Sequence, residues 1–145
     1  MRSLTSRLAA LALVTLAAAP LAHAADAKKI LDVEVKLDDA KLVDKAAKIR
    51  VLFITLYDAA AAGPRPYGAF KVDLDKDAKG LVYKGTLDTT NVMVMGGGDL
   101  PAKLRVKAKL DKDGSAGPDA PGDLIGIVDG VAVGSKTVVT IDKAI

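Results

Sequence analysis

The chain has 145 residues, of which 50% are hydrophobic and 3% aromatic, and its 21 basic residues slightly outnumber its 18 acidic residues. It contains no cysteine and no tryptophan, and it has a single histidine. Without cysteine the chain forms no disulfide, offers no thiolate to zinc and cannot attach haem through a C-x-x-C-H motif.

The first segment along the chain has the layout of a secretory signal peptide. Arg2 and Arg7 precede an apolar run from Leu8 to Leu21, and Ala22-His23-Ala24 is a small-x-small cleavage site. We therefore predict a helical signal peptide over residues 1–24, which is removed on export to the periplasm. A short membrane anchor is the alternative, although the run is short for a bilayer span.

Cleavage after this segment leaves one predicted domain over residues 25–145. Arg2 and Arg7 leave with the signal peptide while all 18 acidic residues remain, so the domain is almost neutral and nucleic-acid binding is disfavoured. His23 leaves as well, and the remaining serines, Ser115 and Ser135, stand outside the G-x-S-x-G and S-x-x-K motifs. We therefore predict a domain that is not an enzyme, holds no cofactor and spans no membrane.

The next three segments predict a strand, a short connection and a second strand. LDVEVKL (31–37) alternates apolar and polar residues, as a strand with one buried face does. In DDAKLVDKAAK (38–48), Leu42 and Ala46 stand four residues apart, which is consistent with a turn or one short helix. IRVLFITLY (49–57) is more continuously apolar, as a central strand covered on both faces, or partly so, would be.

The GPRP segment (63–66) predicts a rigid turn between strands. Arg65 stands between two prolines in it, where a long cationic side chain is presented to the surface. We consider it a candidate protein contact, with an ordinary solvated turn residue as the alternative.

The remaining strand candidates are separated by glycine, proline and aspartate clusters. Together with the two above, they give seven or eight short strands, which favours an all-β fold, an Ig-like or transthyretin-like antiparallel β-sandwich. The further candidates are GAFKVDL (68–74), LVYKGTL (81–87), AKLRVKAKL (102–110), DLIGIV (123–128) and VAVGSKTVVTI (131–141).

Two methionines stand in NVMVMGGG (91–98). Met93 and Met95 share a face if this segment is extended. Three interpretations are open: core packing at a strand end, an adaptable contact surface for an apolar peptide, and a weak thioether site for Cu(I).

A row of cations occupies alternate positions of the 102–110 segment. Lys103, Arg105, Lys107 and Lys109 alternate with apolar residues, so the cations are expected to share the solvent face of one strand. Such a row is typical of a solvated or edge strand face. The alternative is an electrostatic docking surface.

The DKDGS segment after this row resembles the start of a calcium loop. Counted from Asp111, it lacks the glycine that a calcium loop has at position six, and it has Gly122 at position twelve where the loop has a glutamate. Hairpin-turn chemistry explains the segment better, with Gly114 supplying the positive φ angle. The residues up to 123 are a loop on composition.

The order of several motifs resembles the C-terminal Ig-like periplasmic domain of the CycH (CcmI) family of cytochrome c biogenesis proteins. The resemblance covers nearly all of residues 25–145, with Lys109 in place of the family's usual Arg and Asp111 in place of its usual Ser. The matching positions are Gly63 to Pro66, then Leu87, Asp88, Thr90 and Met93, then Ala108 and Gly114, then Pro121 to Leu124 and Gly126, and finally Val139, Ile141 and Asp142.

The resemblance implies a role with unfolded cytochromes, because full-length members bind the C-terminal region of apocytochrome c and present it for haem ligation. Members usually carry membrane helices and tetratricopeptide repeats before this domain, whereas here the predicted leader directly precedes it.

We therefore expect a periplasmic, non-catalytic binding module that holds an apocytochrome c segment or docks on cytochrome c maturation proteins. The alternatives are an accessory structural sandwich with no cytochrome role and a weak methionine-based copper binder. The candidate protein-binding residues are Arg65, Met93, Met95, Lys103, Arg105, Lys107 and Lys109.

Overall fold

The structure, a computed structural model, describes residues 26–63 and 65–145. The predicted signal peptide and Pro64 of the predicted turn lie outside the described residues. No helix in the described part of the chain is long and apolar enough to cross a membrane. The elements are β1 (Lys29–Leu37), α1 (Asp39–Ala46), β2 (Val51–Asp58), β3 (Pro66–Asp73), β4 (Leu81–Asp88), β5 (Met93–Val94), β6 (Lys103–Asp111), β7 (Leu124–Ala132), β8 (Lys136–Ile141) and β9 (Lys143–Ala144).

The strands form two sheets that pack as an all-β sandwich, which confirms the predicted fold class. One sheet has the order β4-β1-β8 and the other the order β5-β3-β2-β6-β7-β9. Seven or eight strands were expected, and the described residues form nine, of which β5 and β9 have two residues each. The sheets are not purely antiparallel, because β1 and β8 pair in parallel.

Alternating side chains of both sheets fill the space between them. On β6 the apolar positions predicted for the core are fully buried, from Leu104 to Leu110. On β2 only Leu52, Ile54 and Leu56 face the core, because the residues between them lie on the outer face of the sheet. Of the two interpretations of residues 38–48, a turn or one short helix, the helix is present as α1, and its buried Leu42 and Ala46 join this core.

The chain passes from one sheet to the other between β7 and β8, and the two strands approach each other closely at Gly126. A Cβ atom added to Gly126 would lie 2.1 Å from the carbonyl oxygen of Thr140 and 2.6 Å from its carbonyl carbon. The backbones of β7 and β8 therefore approach too closely for any side chain at this position.

We expect Gly126→Ala to lower the free energy of unfolding by about 2 to 3 kcal/mol, because the added methyl group must displace backbone and not a flexible side chain. Urea unfolding checks this. Gly98→Ala is the matched control, since nothing lies within 4 Å of the added carbon there. Equal stabilities of the two variants would contradict the close approach of β7 and β8.

Candidate binding groove on the outer face of the six-stranded sheet

The register of the six-stranded sheet places the methionines and the cationic row on the same outer face. Thr55 of β2 lies between Ala69 of β3 and Lys107 of β6, and Ala69 in turn lies opposite Met93 of β5. Directly opposite residues in an antiparallel pair project from the same face of the sheet. One row of outward side chains therefore runs from Met93 to Lys107 across four strands.

A groove follows this row, and we call it the outer groove. It consists of two adjoining half-open cavities, of about 520 Å³ and 610 Å³, which share Phe53, Ala69, Met95 and Ala116 among their lining residues. Small residues occupy the middle of the floor, with aromatic side chains of β2 towards its ends. The loop between β6 and β7 and the methionine segment supply further lining on the two sides.

Both methionines of this segment are exposed, so the core-packing interpretation is wrong. Met93 is 71% exposed and Met95 is 39% exposed, and both contribute to the outer groove. The short β5 strand holds them there through pairing with Gly68 and Ala69 of β3. The glycines that follow form a turn, since Gly96 has a φ of 82°.

The cationic row faces outward as predicted, but most of its charge is neutralised. Arg105 donates two hydrogen bonds to one carboxylate oxygen of Asp129, at 3.0 and 2.8 Å. Lys107 Nζ donates to both carboxylate oxygens of Asp119 at 2.6 Å. The row is therefore a set of ion pairs and not an uncompensated cationic surface.

Lys109 departs from the expected solvated face altogether, because the loop between β6 and β7 covers it. Its side chain is 7% exposed, its Nζ lies 2.6 Å from Asp111 Oδ2 and 3.7 Å from Asp123 Oδ2, and it donates to the carbonyl oxygen of Gly117 at 3.1 Å. The same ammonium lies 5.7 Å from the centre of the Phe53 ring. The last cation of the row thus holds the loop against the sheet.

The two aspartates of this cluster also organise the backbone of the loop. Asp111 Oδ1 accepts hydrogen bonds from the amides of Gly114 and Ser115, and Gly114 has a φ of 72°, as predicted for the turn. Asp123 accepts from the amides of Lys112 and Ala120, near the two ends of the loop. Asp111 therefore serves the ion pair and the turn together.

Burial and charge pairing act in opposite directions on this cluster. Burial by itself would lower the pKa of Lys109, but the hydrogen bond to Asp111 and the charges of Asp111, Asp123 and Asp119 outweigh it, and the pKa is raised. Burial would likewise raise the pKa of Asp111, but the bond and charge of Lys109, with further hydrogen bonds, leave that pKa lowered. Both groups are therefore charged at neutral pH.

The structure brings only some of the predicted binding residues together. Met95, Lys107 and Lys109 line one cavity of the outer groove, and Met93 lines the adjoining one. Arg65 is exposed beside Pro66, which lines the groove. Lys103, opposite Ala132, and Arg105 lie on the same strand outside the lining.

Sequence reasoning missed the aromatic and acidic parts of this site. Phe53 and Tyr57 were predicted only as parts of a central strand covered fully or partly on both faces, and not as lining of a site, although both lie on the groove side of β2. Asp119 and Asp123 were assigned only to a loop. An acidic loop that follows a cationic strand is the signal that could have suggested their pairing.

No protein-family model, curated protein sequence or solved structure matches this chain. The fold and the site define an all-β sandwich domain with an apolar groove, one side of which is held by ion pairs.

We expect Lys109→Met to lower the free energy of unfolding by about 3 kcal/mol, because Asp111 and Asp123 would remain buried without their cation. Lys103→Met, on the exposed end of the same strand, should change it by less than about 0.5 kcal/mol. Urea unfolding of both variants is the measurement. An equally small effect of the two substitutions would mean that the buried ion pair does not hold the loop.

The lowered pKa of Asp111 also predicts a pH dependence. A carboxyl group whose pKa is lower in the folded state stabilises that state above its ordinary pKa of about 4, and this contribution is lost as the pH falls through the lowered value. We expect Asp111→Asn to be clearly less stable than wild type at about pH 7, with a difference that shrinks towards about pH 2. Exposed Asp75→Asn is the control, and a difference for Asp111→Asn that is independent of pH would contradict the prediction.

Proposed function

We propose that this chain is a periplasmic, non-catalytic binding domain of cytochrome c maturation, and that its outer groove holds a segment of unfolded apocytochrome c. The observation that carries the proposal is the exposure of Met93 and Met95 beside an apolar groove. Burial of large apolar side chains is favourable, so a polypeptide that covers these exposed methionines would gain binding free energy.

The composition of the groove suits an apolar polypeptide segment. Thioether side chains are flexible and polarizable, so they adapt to side chains of different shape. The side chains of Thr55 and Ala69 on the groove floor are small, which leaves room for apolar side chains of a ligand. Phe53 and Tyr57 offer aromatic surface on either side of this small floor. This combination favours contact with apolar residues over recognition of one polar group.

The ion pairs give the groove a fixed side, which favours binding. Lys107 holds Asp119, and Lys109 holds Asp111 and the carbonyl oxygen of Gly117. A side that is already ordered does not lose conformational entropy when a ligand arrives. In this mechanism the cationic row acts mainly by fixing the loop, and Lys103 is left as its exposed member for steering acidic side chains.

The chemistry of the lysines supports binding without catalysis. Nucleophilic or general-base lysines need a lowered pKa, which gives them a neutral amine near pH 7. The pKa of Lys109 is raised and its ammonium is bound to carboxylates. It therefore serves the groove as a fixed cation.

The resemblance to the CycH family supports apocytochrome c as the occupant. Several residues that carry it belong to the outer groove: Pro66, Met93 and Gly114 line it. Others, such as Leu87 and Ile141, lie in the core and concern the fold alone.

Calorimetric titration of the purified protein with C-terminal peptides of apocytochromes c from the same organism tests the proposal. We expect saturable binding, and a Met93→Ser/Met95→Ser variant should weaken it by at least about tenfold, because two thioether contacts are lost. Leu81→Ser/Val138→Ser is the matched control, since these residues are also large, apolar and exposed but lie outside the groove lining.

The outcomes separate the parts of the proposal. Absence of binding at concentrations up to about 100 μM would overturn it and favour an accessory structural sandwich. Equal binding of scrambled peptides would contradict apocytochrome recognition. Equal weakening by the methionine variant and its control would contradict the outer groove as the site.

A further inference from the structure

A lysine occupies a backbone conformation that favours glycine, just after α1. The amide of Ile49 donates to the carbonyl oxygen of Ala46 at 3.1 Å, Ala47 has φ −56° and ψ 133°, and Lys48 has φ 69°. These features are those of a type II turn with Lys48 as its third residue, where a Cβ atom is sterically unfavourable. Lys48 is the only non-glycine residue with positive φ in 26–63 and 65–145.

Such a conformation is retained where the side chain is needed, and the side chain of Lys48 lies at a pocket. This pocket has a volume of about 570 Å³ and is separate from the outer groove. Lys45, Lys48 and Lys112 are its exposed cationic lining residues. Its accessible apolar surface comes mainly from Ile145, which is 41% exposed, and from the half-buried Ala144, whereas Ile49 and Leu124 are buried behind it. We call it the lysine pocket.

The ammonium groups of the three lysines form no ion pair in the described part of the chain. None of them lies within 4 Å of a carboxylate in the described part of the chain, and no acidic residue lines the pocket there. Asp77 lies near this region, but its carboxylate pairs with Arg50 and accepts a hydrogen bond from the backbone amide of Lys48, not from the Lys48 ammonium group. The pocket therefore contrasts with the outer groove, where Lys107 and Lys109 are paired.

Lys112 is also placed by local packing. A Cβ atom added to Gly122 would lie 2.6 Å from Lys112 Cδ, so the aliphatic part of Lys112 packs over this glycine. The side chain thereby covers apolar surface while its ammonium group stays at the pocket, as amphipathic lysine side chains do.

We propose that the lysine pocket binds a single-chain anionic amphiphile, a free fatty carboxylate, with the headgroup at Lys45, Lys48 and Lys112 and the chain on the apolar surface of Ala144 and Ile145. Three lysines without ion-pair partners provide charge complementarity to a carboxylate, and burial of the exposed Ile145 side chain rewards an attached hydrocarbon chain. A purely polar anion would leave that apolar surface in contact with water. The site shares no residue with the outer groove and does not depend on its function.

Titration with decanoate, followed by ¹H–¹⁵N NMR of the whole protein, tests this proposal. We expect saturable shifts centred on Lys48, Ala144 and Ile145, much weaker binding of neutral 1-decanol, and weaker binding of acetate and inorganic phosphate. Decanol that binds as tightly as decanoate would overturn the role of the lysines. Shifts centred on Met93 and Phe53 would contradict the lysine pocket as the binding site. Tighter binding of phosphate than of decanoate would contradict an amphiphile as the ligand.

Lys48→Gly distinguishes a ligand-binding role from a structural one. Because glycine suits the type II turn, we expect thermal stability to be unchanged or to rise by a few degrees, while decanoate binding weakens about threefold or more. Lys45→Gln/Lys112→Gln should weaken it about tenfold, and exposed Lys76→Gln/Lys79→Gln should leave it unchanged. Unaltered binding in Lys48→Gly would overturn the proposal.

Discussion

The alternation of side chains along β6 couples the core of the sandwich to its outer groove. On one face, Leu104 to Leu110 are fully buried between the two sheets. On the other face, Lys107 and Lys109 hold the loop that lines the groove. A shift of the register by one residue would bring the lysines into the core and the leucines to the surface, so the apolar face fixes the position of the ion pairs as well.

The charges of the domain serve local contacts. Two cations of β6 are paired with aspartates, Lys107 with Asp119 of the following loop and Arg105 with Asp129 of the neighbouring strand β7. Exposed pairs of this kind contribute little to stability, whereas the buried Lys109 pair matters because either partner alone would be an uncompensated charge. Lysines without an ion-pair partner, among them Lys48, are therefore better candidates for binding an anionic ligand than the paired lysines.

Sequence patterns predicted the local elements well, because alternation and spacing report directly on strands and helices. The strand at 31–37, the short helix around Leu42 and the buried face of β6 are all present. The continuous apolar run of β2 predicted a central strand, which it is, but left open how far its outer face is covered. On that face Phe53 is buried beneath the Lys109 ammonium, whereas Thr55 and Tyr57 are half-buried. The exposure of Met93 was also unpredictable from spacing, because a two-residue strand holds it outside the core.

The parallel pairing of β1 with β8 ties the first strand of the domain to the last long one. β1 is the central strand of its sheet, so one of its edges stays open until residues 136–141 are available. This sheet is therefore complete only when segments far apart in the sequence have paired, such as Asp32 with Lys136. Pairing between such distant segments slows folding, so we expect the domain to fold more slowly than a sandwich built from neighbouring hairpins alone.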